Sequence, residues 1–140
     1  MQEVFITIKG TQFLDGDSDV IEMASVGRMT TVGKTTYIRY DDSTSDEDGT
    51  VKCLIKYDRD DESVIMQRNG RFQSRMYIKM GQRHICHYDS VGGALVMGIF
   101  GEKVKGELDD NGGNVSFAYT IDVIHSMLSR NEVEITVKKS

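Results

Sequence analysis

The stretch Ser63-Val64-Ile65-Met66-Gln67-Arg68-Asn69-Gly70 decides how the chain is read. As a strand with period-two alternation it places Arg68 on the same face as Val64 and Met66, so the arginine is expected to point inward. The run that follows repeats the pattern, with Phe72, Ser74, Met76, Ile78 and Met80 set against Gln73, Arg75, Tyr77 and Lys79. The two runs make a hairpin with one core face and one wet face. The rest of the chain reads as sheet added to it.

Upstream, Val51, Cys53, Ile55 and Tyr57 alternate with Lys52, Leu54 and Lys56, and before them Asp41 to Thr50 is a polar, mostly acidic loop. Thr35 to Asp41 is a strand with Ile38 and Tyr40 on one face and Tyr37 and Arg39 on the other. Val4, Ile6 and Ile8 alternate with Phe5, Thr7 and Lys9 up to Gly10. After the turn Asp15-Gly16-Asp17, Val20 to Val26 and Met29 to Val32 form one long strand, expected to kink or bulge at Gly27. Gly33-Lys34 is a hairpin turn.

Downstream, Met80-Gly81-Gln82 turns into a strand from Arg83 to Ser90, and Gly92-Gly93 leads into Leu95, Met97 and Ile99. Glu102 to Leu108 fits no single period. Asp110-Asn111-Gly112-Gly113 is a strong hairpin signal. Beyond it Val115, Phe117, Tyr119, Ile121 and Val123 share a face, and Val133, Ile135 and Val137 alternate near the end.

Ten or eleven short strands, turns about every 8–12 residues, no sustained helical period and no proline point to an all-β, antiparallel barrel or sandwich. Sequential hairpins favour the up-and-down barrel, in a single domain spanning residues 1–140. Such a barrel abolishes its edges, and at about eight strands it is just wide enough to be filled by side chains or to hold one small ligand.

The net charge is −5, although residues 51 to 100 carry 8 basic and 5 acidic groups. An acidic chain of this kind argues against nonspecific nucleic-acid binding, which needs clustered Lys and Arg. No window approaches the roughly 18 consecutive apolar residues of a membrane span, and Met1 to Gly10 alternates where a signal peptide would be continuously apolar. Cys53 and Cys86 lie in apolar runs, which suits reduced, buried thiols. A cytoplasmic protein is expected.

Several short motifs have a simpler reading than their chemistry suggests. Gly33-Lys34-Thr35 lacks the phosphate-loop spacing and precedes a strand where a helix is required, so it reads as a turn. Asp15-Gly16-Asp17-Ser18-Asp19 is followed by Val20 where a calcium loop needs glycine. In Asp46-Glu47-Asp48-Gly49, Ile55 stands where the closing glutamate is needed. In His84-Ile85-Cys86-His87 the side chains divide between two strand faces and no second cluster completes a tetrahedral site, so no metal is expected. No base, orienting group and oxyanion hole come together around the cysteines, so no enzyme and no cofactor are expected. Arg71, Arg75, Lys79 and Arg83, with Tyr77 between them, form a basic face that reads first as the solvated outside of a hairpin. Its alternative is a platform for RNA or an acidic protein.

Arg68 differs because burying a guanidinium requires a carboxylate, further hydrogen bonds or retained water. If the Ile38, Tyr40, Asp42 face and the Phe117, Tyr119, Ile121 face are both interior, then Asp42, Tyr40 and Tyr119 are its available partners. Two roles follow: a satisfied polar plug in a filled barrel, or an anchor for a small anionic or amphipathic ligand.

The motifs Ile8-Lys9-Gly10-Thr11-Gln12, Asp19-Val20-Ile21-Glu22, Tyr37-Ile38-Arg39-Tyr40, Gln67-Arg68-Asn69-Gly70, Tyr88-Asp89-Ser90 and Gly112-Gly113 through Tyr119 occur in this order. Together they resemble the DUF1934 or YwiB-like family, a bacterial family of unknown function placed among the calycin-like, lipocalin-type β-barrels. The resemblance implies the barrel, and Tyr88 joins the candidate ligand-binding set through its motif. Two positions depart from the family pattern. Asp42 stands where a glutamate is usual, and Tyr88-Asp89-Ser90-Val91-Gly92 lacks the usual Thr-Pro.

Overall fold

The computed structural model describes residues 2–42, 50–70, 73–90, 92–123 and 126–140, without the side chains of 88–90, 94 and 126–128. Ten strands follow one another: β1 (Gln2–Leu14), β2 (Asp17–Val32), β3 (Thr35–Asp42), β4 (Val51–Asp58), β5 (Ser63–Asn69), β6 (Gln73–Lys79), β7 (Arg83–Ser90), β8 (Gly93–Asp109), β9 (Gly112–Val123) and β10 (Ser126–Lys139). Each pairs antiparallel with its neighbours in sequence, and β1 pairs with β10 to close the ring. The result is an up-and-down β-barrel. Among the described residues there is no helix long and apolar enough to cross a membrane.

The alternation read from the sequence sets the interior. One half of the barrel is packed solid by Val4, Ile6, Ile38, Val64, Ile78, Ile99, Val115, Phe117 and Ile135, all fully or almost fully buried. Tyr57 helps close that end, its hydroxyl donating to the Gly106 carbonyl oxygen at 3.2 Å. Toward the other end lie the inward residues of the same strands: Ile8 on β1, Tyr40 and Asp42 on β3, Cys53 on β4, Arg68 on β5 and Val133 on β10. That half contains a cavity.

The turns follow their residues. Asp15 and Gly16 take positive φ (51° and 82°) in the two-residue β1–β2 connection, and Gly33 (62°) does so in the next. Before β5, the Asp58 carboxylate accepts the backbone N–H groups of Asp60 and Asp61, both at 3.0 Å. This local pairing explains why an acidic run makes a tight turn.

Four features depart from the sequence reading. First, β2 does not bulge at Gly27, whose register with Val4 and Tyr40 is continuous. A Cβ there would lie 2.5 Å from the Arg39 carbonyl oxygen and 2.6 Å from Ile6 Cδ1. Glycine is needed for close approach. Second, Glu102 to Leu108 is the continuation of β8, made illegible by a register shift between Gly101 and Lys103. Third, β3 extends to Asp42, leaving residues 43–49 of the acidic segment outside the described residues. Fourth, β10 begins at Ser126 and has its own irregularity between Met127 and Ser129.

The ladder is thinnest between β6 and β7, where Ser74↔Tyr88 is the single paired position among the described residues. Other contacts hold this seam. The Cys86 thiol donates to the Arg75 carbonyl oxygen at 2.9 Å, and the rings of Tyr77 and His84 lie 4.5 Å apart. At the packed end the Met80–Gln82 turn docks on β8, with Gly81 N–H donating to the Gly101 oxygen and Gly101 N–H to the Gln82 oxygen.

The close packing at Gly27 gives a paired test. Gly27→Ala is expected to lower stability by about 1–3 kcal/mol through overpacking. Gly10→Ala, where an added Cβ meets nothing within 4 Å, is expected to stay within about 0.5 kcal/mol of wild type. Urea denaturation midpoints measure both, and equal costs at the two positions would contradict the close approach.

Candidate functional site

The open half of the barrel holds a cavity of about 290 Å³. On the order of ten water volumes would fill it. Its walls include Ile8, Met23, Ile55, Met66, Met76 and Val133, and its polar groups include Tyr40, Cys53, Arg68, Ser74 and Tyr119, with Gln67 at its margin. Ile21, 73% exposed, also lines it, on the part of β2 that continues past the end of β3. A mostly apolar wall with a few convergent polar groups is the usual make-up of a small-molecule site.

Arg68 reaches this cavity because β5 alternates Val64, Met66, Arg68 toward the interior. Its Nη2 donates to Asp42 Oδ2 at 3.0 Å. The two partners differ in solvent access, since the Asp42 side chain is 7% exposed and that of Arg68 45%. Asp42 is therefore the buried member and Arg68 the wet one. Register explains the meeting: Tyr40, Cys53 and Arg68 stand at one level across β3, β4 and β5, and Asp42, opposite Val51, is the next inward position toward the open end, within diagonal reach of the guanidinium.

The electrostatics follow from this burial. Burial is the largest influence and opposes the Arg68 charge, but the bond to Asp42 together with the electrostatic pull of Cys53, Asp42 and Tyr40 outweighs it, and the guanidinium pKa moves up. Burial also pushes up the Tyr40 hydroxyl, reinforced by the Cys53 thiol beside it. Burial raises the Cys53 thiol too, against the pull of Arg68. Both groups are held protonated, so at neutral pH they serve as hydrogen-bonding walls. Tyr119, 7% exposed, is pushed up to about 12 by burial alone.

Four of the five candidate residues thus gather here: Arg68, Asp42 and Tyr40 in one cluster, with Tyr119 on the cavity wall. Tyr88 pairs with Ser74 and Leu95 in the ladder, beside a cavity-lining position, but its side chain lies outside the described residues. Cys53 was missed as a site residue, although its place on the Val51, Ile55, Tyr57 face already marked it as inward. Met66 and Met76 were legible by the same parity as Arg68.

On the outer strip of residues 71 to 83, from β6 to the start of β7, two cations already have acidic partners. Asp61 accepts Lys79 Nζ at 2.5 Å and the Tyr77 hydroxyl at 2.6 Å. Arg83 makes a two-pronged contact with Asp122 at 3.0 and 2.6 Å. Arg75 is exposed, and Arg71 lies outside the described residues.

Burial of Tyr119 makes stability pH-dependent with a definite sign. Its phenolate forms first in the unfolded chain, near the ordinary value of 10.0, and only at about 12 in the folded one. Its contribution is complete below pH 10 and is lost as pH rises toward 12, amounting to roughly 3 kcal/mol. Tyr119→Phe is expected to show a flatter decline over this window in urea midpoints. Parallel declines for variant and wild type would contradict a buried hydroxyl.

Among solved structures the fold is similar to that of the ywiB protein from Bacillus subtilis, known from its crystal structure. The TM-score is 0.86 at 22% identity, covering 99% of this chain and 92% of that one. At that identity the likeness carries the fold alone. No curated protein matches. A family model described as a domain of unknown function, DUF1934, matches residues 6–135, from the first inward isoleucine pair to the last strand. The chain belongs to the DUF1934 family.

Proposed function

We propose that this protein is a non-catalytic bacterial cytoplasmic barrel that takes a small amphipathic anion into its open half. The apolar part of the ligand lies against Ile8, Met66, Met76 and Val133, and its anionic end meets Arg68. The observation that carries the reading is the unequal exposure of the Arg68–Asp42 pair. A polar plug would be dry on both sides, whereas this guanidinium is 45% exposed at the wall of a cavity. Asp42 engages Nη2, and a guanidinium has five N–H donors in a fixed fork, which leaves capacity for a second anion. Tyr40 and Tyr119, held neutral, donate without competing charge.

Cavity size bounds the ligand. About 290 Å³ is at the lower limit of small-molecule sites, which suits a short-tailed carboxylate or phosphate monoester. The free, buried Cys53 and Cys86 suit a reducing compartment. The outer strip of residues 71 to 83 is the weaker alternative for an RNA or acidic-protein contact, because Lys79 and Arg83 already hold carboxylates.

Calorimetric titration with decanoate, decanol and a panel of short phosphate monoesters tests the proposal on wild type and Arg68→Ala. Wild type is expected to prefer an anion, and the variant to lose about 10- to 100-fold for that anion while keeping decanol, the yield of one charge-assisted hydrogen bond. Because the change takes the cation away from the buried Asp42 carboxylate, the variant should lose about 3 kcal/mol of stability, and binding is compared on the folded proteins. No binding of any panel member to wild type, or equal binding of the anion to both proteins, would overturn the reading.

A further inference from the structure

The outer surface of β2–β6 carries a concentration of positive charge at odds with the acidic chain. Arg28 lies opposite Arg39, Arg39 opposite Leu54, Leu54 opposite Gln67, and Gln67 opposite Arg75, in one continuous cross-strand row. Flanking that row, Lys52 sits between Asp41 and Asn69, and Lys56 between Tyr37 and Ile65. Lys56 Nζ is 5.8 Å from the centre of the Tyr37 ring. None of these five cations makes an ion pair among the described residues. Like charges directly opposite in a ladder are destabilising, and Glu3 opposite Arg28 and Asp41 opposite Lys52 offset part of that cost, while Arg39 has Arg28 and Leu54 as its cross-strand neighbours.

The same face is concave in part. A groove of about 640 Å³ is lined by Arg28, Arg39, Lys52, Leu54 and Asn69, with Glu3 and Asp41 as its acidic members. At about 4.8 Å per strand, the arginine row spans about 19 Å. We propose that this outer face binds single-stranded nucleic acid, the cations tracking phosphates along the groove and Tyr37 offering a ring to a base. It shares Arg75 alone with the 71–83 strip and does not depend on the interior cavity.

The pattern favours that occupant over an acidic protein. Protein interfaces need a buried apolar or aromatic anchor at their centre, and here the centre of the row is Leu54, half-buried, and Gln67. Cations spread along a line, an aromatic ring among them and side-chain amides between them are the components of a single-strand groove. Reading the bases of a duplex takes a helix or a two-stranded ribbon in its major groove, and this face is a sheet surface without either. The net charge of −5 does not exclude the binding, because phosphate neutralisation depends on the local cluster, where five cations stand against Glu3 and Asp41.

Fluorescence anisotropy of labelled twelve-nucleotide oligo-uridine and oligo-thymidine tests this with the full chain between 50 and 300 mM salt. Wild type is expected to bind, with log K falling against log salt at a slope of about −2 to −4, as for three to five neutralised phosphates on a single strand. Arg28→Glu/Arg39→Glu/Lys52→Glu should weaken binding at least tenfold with an unchanged thermal midpoint. If that variant is unstable, Arg39→Ala and Arg75→Ala each replace it, with a smaller loss expected. The proposal is overturned if wild type binds neither strand at the lowest salt, if the substituted proteins bind as wild type, if a duplex of the same length binds equally well, or if poly-glutamate binds in their place.

Discussion

Closing ten strands into one ring makes an interior wider than about eight strands would enclose, and the inward side chains of this chain fill one half of it. Phe117 and the isoleucines of β1, β3, β6, β8 and β10 occupy the first half. In the other half inward positions fall to glycine, serine, cysteine and methionine, with Gly10, Ser74, Cys53, Met66 and Met76 around the cavity. The Arg68–Asp42 pair belongs to this division. A charge is tolerable inside the barrel because its half of the barrel is open to water, and Asp42 compensates the part of it that is not.

The same closure explains the seam between β6 and β7. A ring has no edge to leave unpaired, yet these two strands share one described ladder position. The Cys86 thiol, the Tyr77–His84 ring pair and the Gly101 bulge do what ladder bonds do elsewhere. Gly101 has to be glycine for this, since a Cβ would fall onto the Lys79 backbone. One residue therefore shifts the β8 register and receives the β6–β7 turn. The outer face follows a separate logic. Its side chains are free of the core's demands, so cations can gather there without disturbing the packing.

The strand alternation was legible residue by residue. It placed Arg68, Asp42, Tyr40 and Tyr119 on interior faces, and the meeting of Arg68 with Asp42 needed only the assumption that both faces turn inward. What escaped the sequence were features set by neighbours. Gly27 looks the same whether it marks a bulge or a close approach, and only Ile6 and the Arg39 carbonyl decide between them. The tail of β8 lost its period because the shift at Gly101 moves the inward set from Met97 and Ile99 to Val104 and Leu108. The arginine row draws on β2, β3 and β6, with Arg28 and Arg75 far apart in sequence, so no local run announced it. The shorter carboxylate at position 42 still reaches Arg68, at 3.0 Å.

The account rests on a barrel that is solid at one end and hollow, with a charged wall, at the other. Methionine supplies probes in both halves, since Met23, Met66 and Met76 line the cavity while Met29 is packed in the core. The most direct measurement is a spectrum of the protein with isotope-labelled methionine methyl groups, recorded while decanoate is added. The account predicts saturable shifts at Met23, Met66 and Met76 with Met29 unmoved. Methyl signals that all stay fixed, or a Met29 signal that moves as far as Met66, would contradict it.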